Sequence, residues 1–177
     1  MSILRGITLF CALAALFIAG CAVTDVSPGA PALERGAKWA LLPIANHTDA
    51  PQAGLRAEAI AEALLRTRGI ADLQHYPAAL NRDALFEPAD GKTQAAARKW
   101  AHDQGVRYAV SGAVDEWRYK VGVDGEPAVG IALNVIDLQS NRVVWSAVGA
   151  KSGWSRESLA GVAQKLLREL LGGMPLK

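Results

Sequence analysis

Val106-Arg107-Tyr108-Ala109-Val110-Ser111-Gly112-Ala113-Val114-Asp115-Glu116-Trp117-Arg118-Tyr119-Lys120-Val121 is the stretch that decides the fold. Val106, Tyr108, Val110, Gly112 and Val114 alternate with their neighbours at the period of two that marks a strand with distinct faces. Asp115, Trp117, Tyr119 and Val121 then take up the opposite phase. A phase change inside one strand predicts a bulge, or a hairpin arm that leaves the body of the domain. Asp124-Gly125 is a two-residue turn signal, after which Val129, Ile131, Leu133 and Val135 form a returning strand. A second turn over Asp137–Arg142 leads to a third strand, Val143–Lys151, which completes an antiparallel meander.

Upstream, Trp39-Ala40-Leu41-Leu42-Pro43-Ile44-Ala45 is apolar throughout and predicts a strand buried on both faces. Pro43 lacks an N–H, so it places this strand at a sheet edge or where the ladder is already ending. Asn46-His47-Thr48-Asp49 reads as a turn. A helix follows from about Ala53 to Arg68, with Ala57, Ile60, Ala61, Leu64 and Leu65 in one stripe and Glu62 and Arg66 paired on its outer side. Ile70–Tyr76 predicts a short strand, and residues 81–88 carry no assignable pattern. Thr93 is a candidate N-cap for a helix presenting Ala96, Ala97, Trp100 and Ala101 to the core and ending at Gly105. The last helix, from near Ser155, buries Leu159, Val162, Ala163, Leu166, Leu167 and Leu170, and Gly172-Gly173 ends it. The order β-α-β-α-β-β-β-α predicts a single α/β domain, a mixed sheet with helices packed on it.

The N-terminus carries a different signal. Arg5 is followed by an apolar run from Ile7 to Ile18, the length of a secretory signal and too short to span a bilayer. Ile18-Ala19-Gly20-Cys21 then reads as a bacterial lipobox. Cleavage before Cys21 would leave a cysteine whose thiol carries diacylglycerol and whose amine carries an acyl chain such as palmitate. Several chains together make attachment effectively permanent. The alternative to the lipobox is an ordinary cleaved signal in which Cys21 is incidental. The predicted organisation is therefore a signal peptide over 1–20, an acylated N-terminus and flexible tether over 21–38, and a globular domain over 39–177. The tether assignment rests on Ser27, Pro28 and Pro31 and on the lack of apolar periodicity.

Removing residues 1–20 leaves 157 of the 177 residues, enough for one domain with a sizeable core. Cys11 leaves with the signal and Cys21 is used by lipid, so the mature chain has no disulfide to draw on. Arg5 is the only charged side chain lost, which leaves 18 of the 19 basic and all 17 acidic residues. That balance argues against nucleic acid, which calls for a basic excess or stripe.

No catalytic constellation emerges. His47, His75 and His102 lie in three segments without metal-ligand spacing or a cysteine to complete a zinc shell. Neither a P-loop, a GxGxxG nor a GxSxG is present. Carboxylates cluster at Asp115 with Glu116 and at Asp124 with Glu126, but neighbours on a strand point to opposite faces, which is poor geometry for a glycosidase pair. They fit a solvated hairpin surface or an electrostatic binding feature better than acid–base chemistry. Trp39, Trp100 and Trp145 occupy core-phase positions. Trp154, in Gly153-Trp154-Ser155, either staples onto the first turn of the last helix or faces a headgroup layer. Trp117 and Tyr119 either contact sugar or a neighbouring subunit, or pack at the base of the hairpin.

The segment Trp39–Asp49 with its following helix, and Leu133-Asn134-Val135-Ile136-Asp137 leading to Asn141-Arg142-Val143-Val144-Trp145-Ser146, resemble a family of bacterial lipoproteins with an anticodon-binding-like α/β fold. That family includes the curli secretion lipoprotein, the activator of a penicillin-binding protein, and the N-terminal domain of the Tol-system periplasmic protein. Within it the chain is similar to the PelC family of outer-membrane lipoproteins of Pel exopolysaccharide secretion. Its length, its short tether, the lack of an added domain and Gly153-Trp154-Ser155 carry the likeness. The resemblance implies a non-catalytic dodecameric ring without cofactor on the periplasmic side of the outer membrane. It implies an aromatic surface, here Trp154, toward the membrane and an acidic lumen, here Asp115, Glu116, Asp124 and Glu126. Such a lumen would attract a cationic polysaccharide and pass it to the porin partner PelB.

Two other classes compete. An activator of a peptidoglycan synthase needs a long tether, whereas residues 22–38 reach at most about 60 Å when fully extended. A lipid-anchored hydrolase rests on the carboxylates alone. The lipid reading is the most directly testable. Ala22 follows the cysteine where Asp commonly retains such proteins at the inner membrane, so the outer membrane is the expected destination. Cys21→Ser should therefore release the protein from membranes, and finding it in salt-washed outer membranes without partners would remove the anchor.

Overall fold

The break in alternation at Asp115 is a β-bulge. In the computed structural model, which describes residues 22–77, 80, 91–122 and 125–177, Val114 lies opposite Ile131 and Glu116 opposite Gly130, so Asp115 is the extra residue. The bulge returns Trp117, opposite Val129, to the buried face that Val110 and Val114 occupy. This strand, β4 (Tyr108–Tyr119), forms the predicted meander with β5 (Pro127–Asp137) and β6 (Arg142–Ser152). The first connection is longer than a two-residue turn: the strands end at Tyr119 and Pro127, and the Lys120 N–H closes the loop on the Glu126 carbonyl at 2.7 Å.

The other elements are β1 (Ala22–Val26), β2 (Trp39–Asn46), α1 (Ala53–Thr67), β3 (Leu73–His75), α2 (Gly91–Asp103) and α3 (Leu159–Gly172). They make one six-stranded mixed sheet in the order β1-β6-β5-β4-β2-β3, with β2 parallel to both neighbours. Helices α1 and α3 cover one face over a large core holding Trp39, Trp145, Leu166 and Leu167; α2 covers part of the other over Ala40, Leu42, Ala97, Ala101 and Ile136. Trp100 is only half-buried, edge-on to Tyr76 at 5.3 Å, and Ala96 is exposed. Thr93 lies within α2 rather than capping it, and residues 81–88 fall outside the described part.

Two expectations change. Residues 22–38 are not a free tether: β1 pairs antiparallel with β6 from Ala22↔Lys151 to Val26↔Ala147. Further along, Leu33 is buried, donating its N–H to the Pro175 carbonyl and accepting from the Lys177 N–H. Composition hid this, because an edge strand exposed on most positions needs backbone pairing rather than apolar periodicity. The last helix starts at Leu159, not Ser155. Ser158, in extended conformation, caps it by accepting from the Gly161 N–H at 3.0 Å.

Pro43 sits in an interior strand, and the ladder yields around it. The pairing of β2 with β4 shifts register between Leu41 and Ile44, and β3 pairs only as far as Leu41. The Ile44 N–H freed by this break is taken by the buried carboxylate of Glu58 on α1, at 2.8 Å. The other Glu58 oxygen contacts His75 Nε2 at 2.9 Å, and Glu62 approaches His75 Nδ1 at 3.3 Å. The hydrogen bond to Glu58 raises the His75 pKa above the ordinary histidine value, burial opposes this, and the charges of Glu58 and Glu62 add to the rise.

A buried amide left without an acceptor costs about 1–3 kcal/mol. Glu58→Ala should therefore destabilise by about that much in urea titrations, and Glu58→Gln, which keeps an acceptor, by less. Because folding raises the His75 pKa, its contribution is complete below the unfolded value of about 6.5 and is lost as pH rises through the folded value. Melting curves across this range should show that loss in the parent and not in His75→Gln.

Candidate functional site

The bulge of β4 meets the turn after β2 because the two strands run parallel with Asn46 level with Val114. The turn is held internally. Asn46 Oδ1 accepts from the Thr48 N–H at 3.1 Å and from its hydroxyl at 2.7 Å, while Asn46 Nδ2 donates to the Ala50 carbonyl at 2.8 Å. The His47 N–H donates to the Val114 carbonyl at 2.9 Å, which carries the imidazole alongside Asp115, where Nδ1 lies 2.9 Å from Oδ1. Around them is an open depression of about 470 Å³ lined by His47, Thr48, Asp49, Ala50, Asp115, Glu116, Trp117 and Arg118.

Within the depression Asp115 is exposed, and Glu116 accepts from Arg118 Nε at 2.9 Å. Glu126 is exposed at the hairpin end, about 13 Å of strand beyond Glu116. The expected acidic surface is thus divided between the bulge and the hairpin tip. Asp124 and Cys21 lie outside the described residues. Trp117 is not available to sugar or a subunit: at 3 % exposure it belongs to the core, which corrects its pairing with Tyr119 as a contact residue. Tyr119 itself is half exposed. Trp154 is 59 % exposed, four residues ahead of the Ser158 cap, and does not staple the helix. Its carbonyl accepts from the Glu157 N–H at 2.8 Å, and its own N–H reaches the Glu157 carboxylate at 3.2 Å. That carboxyl is held below its usual range by Lys165, its ion-pair partner.

Reading segments one by one misses the meeting of His47 with Asp115. The bulge and the turn were each legible, but their contact depends on which strand β4 lies beside. Nothing here resembles an activated nucleophile, since the Thr48 hydroxyl is spent on Asn46. Among the described residues no group of three or more His, Cys, Asp or Glu is placed to hold a metal ion. The arrangement offers shallow, polar, charge-based contact.

No protein-family model matches the chain, and neither does any curated protein. Solved structures do. The chain is similar to the lipoprotein GNA1162 from Neisseria meningitidis, with a TM-score of 0.56 and 16% identity over 77% of this chain and 96% of that one, a likeness of fold. Fold and site together define a single-sheet α/β module of that kind with a shallow charged surface. The PelC dodecamer from Paraburkholderia phytofirmans is 42% identical over 89% of this chain and 99% of that chain, with a TM-score of 0.74. A variant of the same protein, a dodecamer in another crystal form, gives 43%, 89% and 100%, with a TM-score of 0.75. The chain belongs to the PelC family.

The exposed His47–Asp115 hydrogen bond and the buried ring of Trp117 beside it should respond differently to substitution. With both side chains about half exposed, Asp115→Asn should change stability by less than about 1 kcal/mol. Trp117→Ala, which empties a core position, should cost about 3–5 kcal/mol in the same urea titration.

Proposed function

We propose that the mature chain is a lipid-anchored, non-catalytic subunit of a homo-oligomeric ring on the periplasmic face of the outer membrane. In this reading it assists export of a cationic exopolysaccharide to a PelB-type porin. The observation that carries it is identity of 42–43% across essentially the whole length of a protein crystallised as a dodecamer. Head-to-tail interfaces close into rings when the rotation permits. A ring repeats every surface charge in each copy, so a modest acidic feature becomes a field able to concentrate a polycation.

Asp115, Glu116, Asp124 and Glu126 are assigned to that feature, with Asp49 beside them in the depression. Glu116 is offset by Arg118, whereas among the described residues neither Asp49 nor Glu126 is bridged to a lysine or arginine. Screening beyond roughly 8 Å at physiological ionic strength confines the effect to carboxylates along a narrow passage. Trp154 is assigned to the membrane side. The synthase-activator reading loses ground, because pairing of residues 22–26 with β6 shortens a reach that was already limited.

Light scattering on residues 22–177 should give one species far above the monomer mass; a monomer at micromolar concentration would overturn the ring. Replacing Asp115 and Asp124 together by Asn should lower polysaccharide export while leaving oligomer mass and melting temperature unchanged. Normal export would remove the electrostatic guide at these residues.

A further inference from the structure

The second face of the sheet is only half covered. Helix α2 lies over the part that holds Ala40 and Ile136 and stops short of Ala132 and Asn134, which are half-buried. On this open part the register lines up two rungs. One runs through Asp25, Val148 and Ala132, the next through Ser27, Ser146 and Asn134. With Pro28 they line a trough of about 480 Å³. Its polar groups are unevenly spent. Ser27 Oγ donates to the Ser146 carbonyl at 2.8 Å and accepts from the Ser146 N–H at 2.7 Å, so it belongs to the ladder. Ser146 Oγ has only Ser27 Oγ near it, at 3.3 Å, and keeps further hydrogen-bonding capacity. Among the described residues, the Asn134 amide and the Asp25 carboxylate have no hydrogen-bond or ion-pair partner at all.

An idle amide, a carboxylate without a countercharge and a flat floor of Val148 and Ala132 complement a pyranose ring. Its C–H faces rest on the floor, its rim hydroxyls meet amide and hydroxyl, and an amine on the ring meets the carboxylate. Rungs on one face lie about 7 Å apart and strands about 4.8 Å, so two rungs by three strands give a footprint of roughly 7 by 10 Å. That suits one or two sugar rings and falls far below the ~800 Å² that each partner gives to a stable protein interface. We propose that this trough is a saccharide subsite for an aminosugar unit of a polymer, with the ammonium on Asp25 and the hydroxyls on Asn134 and Ser146. The proposal rests on the cationic-polysaccharide reading above and adds a place where individual sugar residues, and not net charge alone, are recognised. Gly130, one rung further along β5, lies opposite Glu116, whose neighbour Trp117 points into the core. The trough and the depression at the bulge therefore share one face of the sheet. A polymer seated in the trough reaches the carboxylates at the bulge across the small residues Ala132, Ala113 and Gly130.

The test is calorimetric titration of the acylated mature chain, held in detergent micelles, with a glucosamine tetrasaccharide and with its fully N-acetylated counterpart. The glucosamine oligomer should bind, and the acetylated one about tenfold more weakly, since acetylation removes the cation that faces Asp25. Asn134→Ala should weaken binding about fivefold and Asp25→Asn about tenfold. Melting temperature should stay unchanged in both, because neither side chain is bonded within the protein. Equal affinity of the parent and both variants would overturn the subsite and leave the export reading standing, the sugar then being held elsewhere on the chain. An effect of Asp25→Asn without one of Asn134→Ala would reduce the trough to a bare charge and overturn saccharide recognition. No binding of either oligomer would overturn the subsite together with any direct contact between chain and cationic polymer.

Discussion

A proline in an interior strand sets much of this architecture. Pro43 has no N–H to give, so the ladder between β2 and β4 shifts there and the next amide, Ile44, must find an acceptor elsewhere. Glu58 supplies it from α1, which fixes that helix over this point of the sheet. The approach is close enough that a side chain at Gly54 would collide with the Ile44 carbonyl. From the same break the chain leaves β2 through the Asn46 turn, with His47 hydrogen-bonded to Val114. The depression at the bulge thus inherits its position from a defect three residues earlier.

Most of the architecture was legible because it is local. Alternation gave the meander strands, its interruption at Asp115 gave a true bulge, and the stripe Ala57, Ala61, Leu64, Leu65 gave α1. What escaped was non-local. The segment from Ala22 to Val26 has little apolar patterning because its stabilisation comes from amides and carbonyls on β6. Leu33 gave no periodic signal because its partners, Pro175 and Lys177, stand at the other end of the chain. Ser155 and Ser158 are equally good caps by composition, and only backbone conformation chooses between them.

The site shows the same division. Exposure of Trp154 removes the staple, because a ring four residues ahead of the cap cannot fold back onto the first turn. Burial of Trp117 decided against the surface role it shared with Tyr119: the bulge had already turned it inward. Charge counting found the carboxylates and missed their partners, because Asp115 meets His47 across strands and Glu116 meets Arg118 along one. The surface that the resemblance implies to be acidic is in part internally balanced, Glu116 by Arg118.

The direction of β1 has a mechanical consequence. Hydrogen bonds between antiparallel strands lie perpendicular to the strand axis, and this strand enters the sheet at the end next to Cys21 and runs inward for five paired residues. Tension applied at Cys21 along that axis loads the pairs together, in shear, instead of opening them one after another like a zipper. The same five residues pulled sideways would peel. A load on the domain is therefore best resisted when the force runs down the length of the strands.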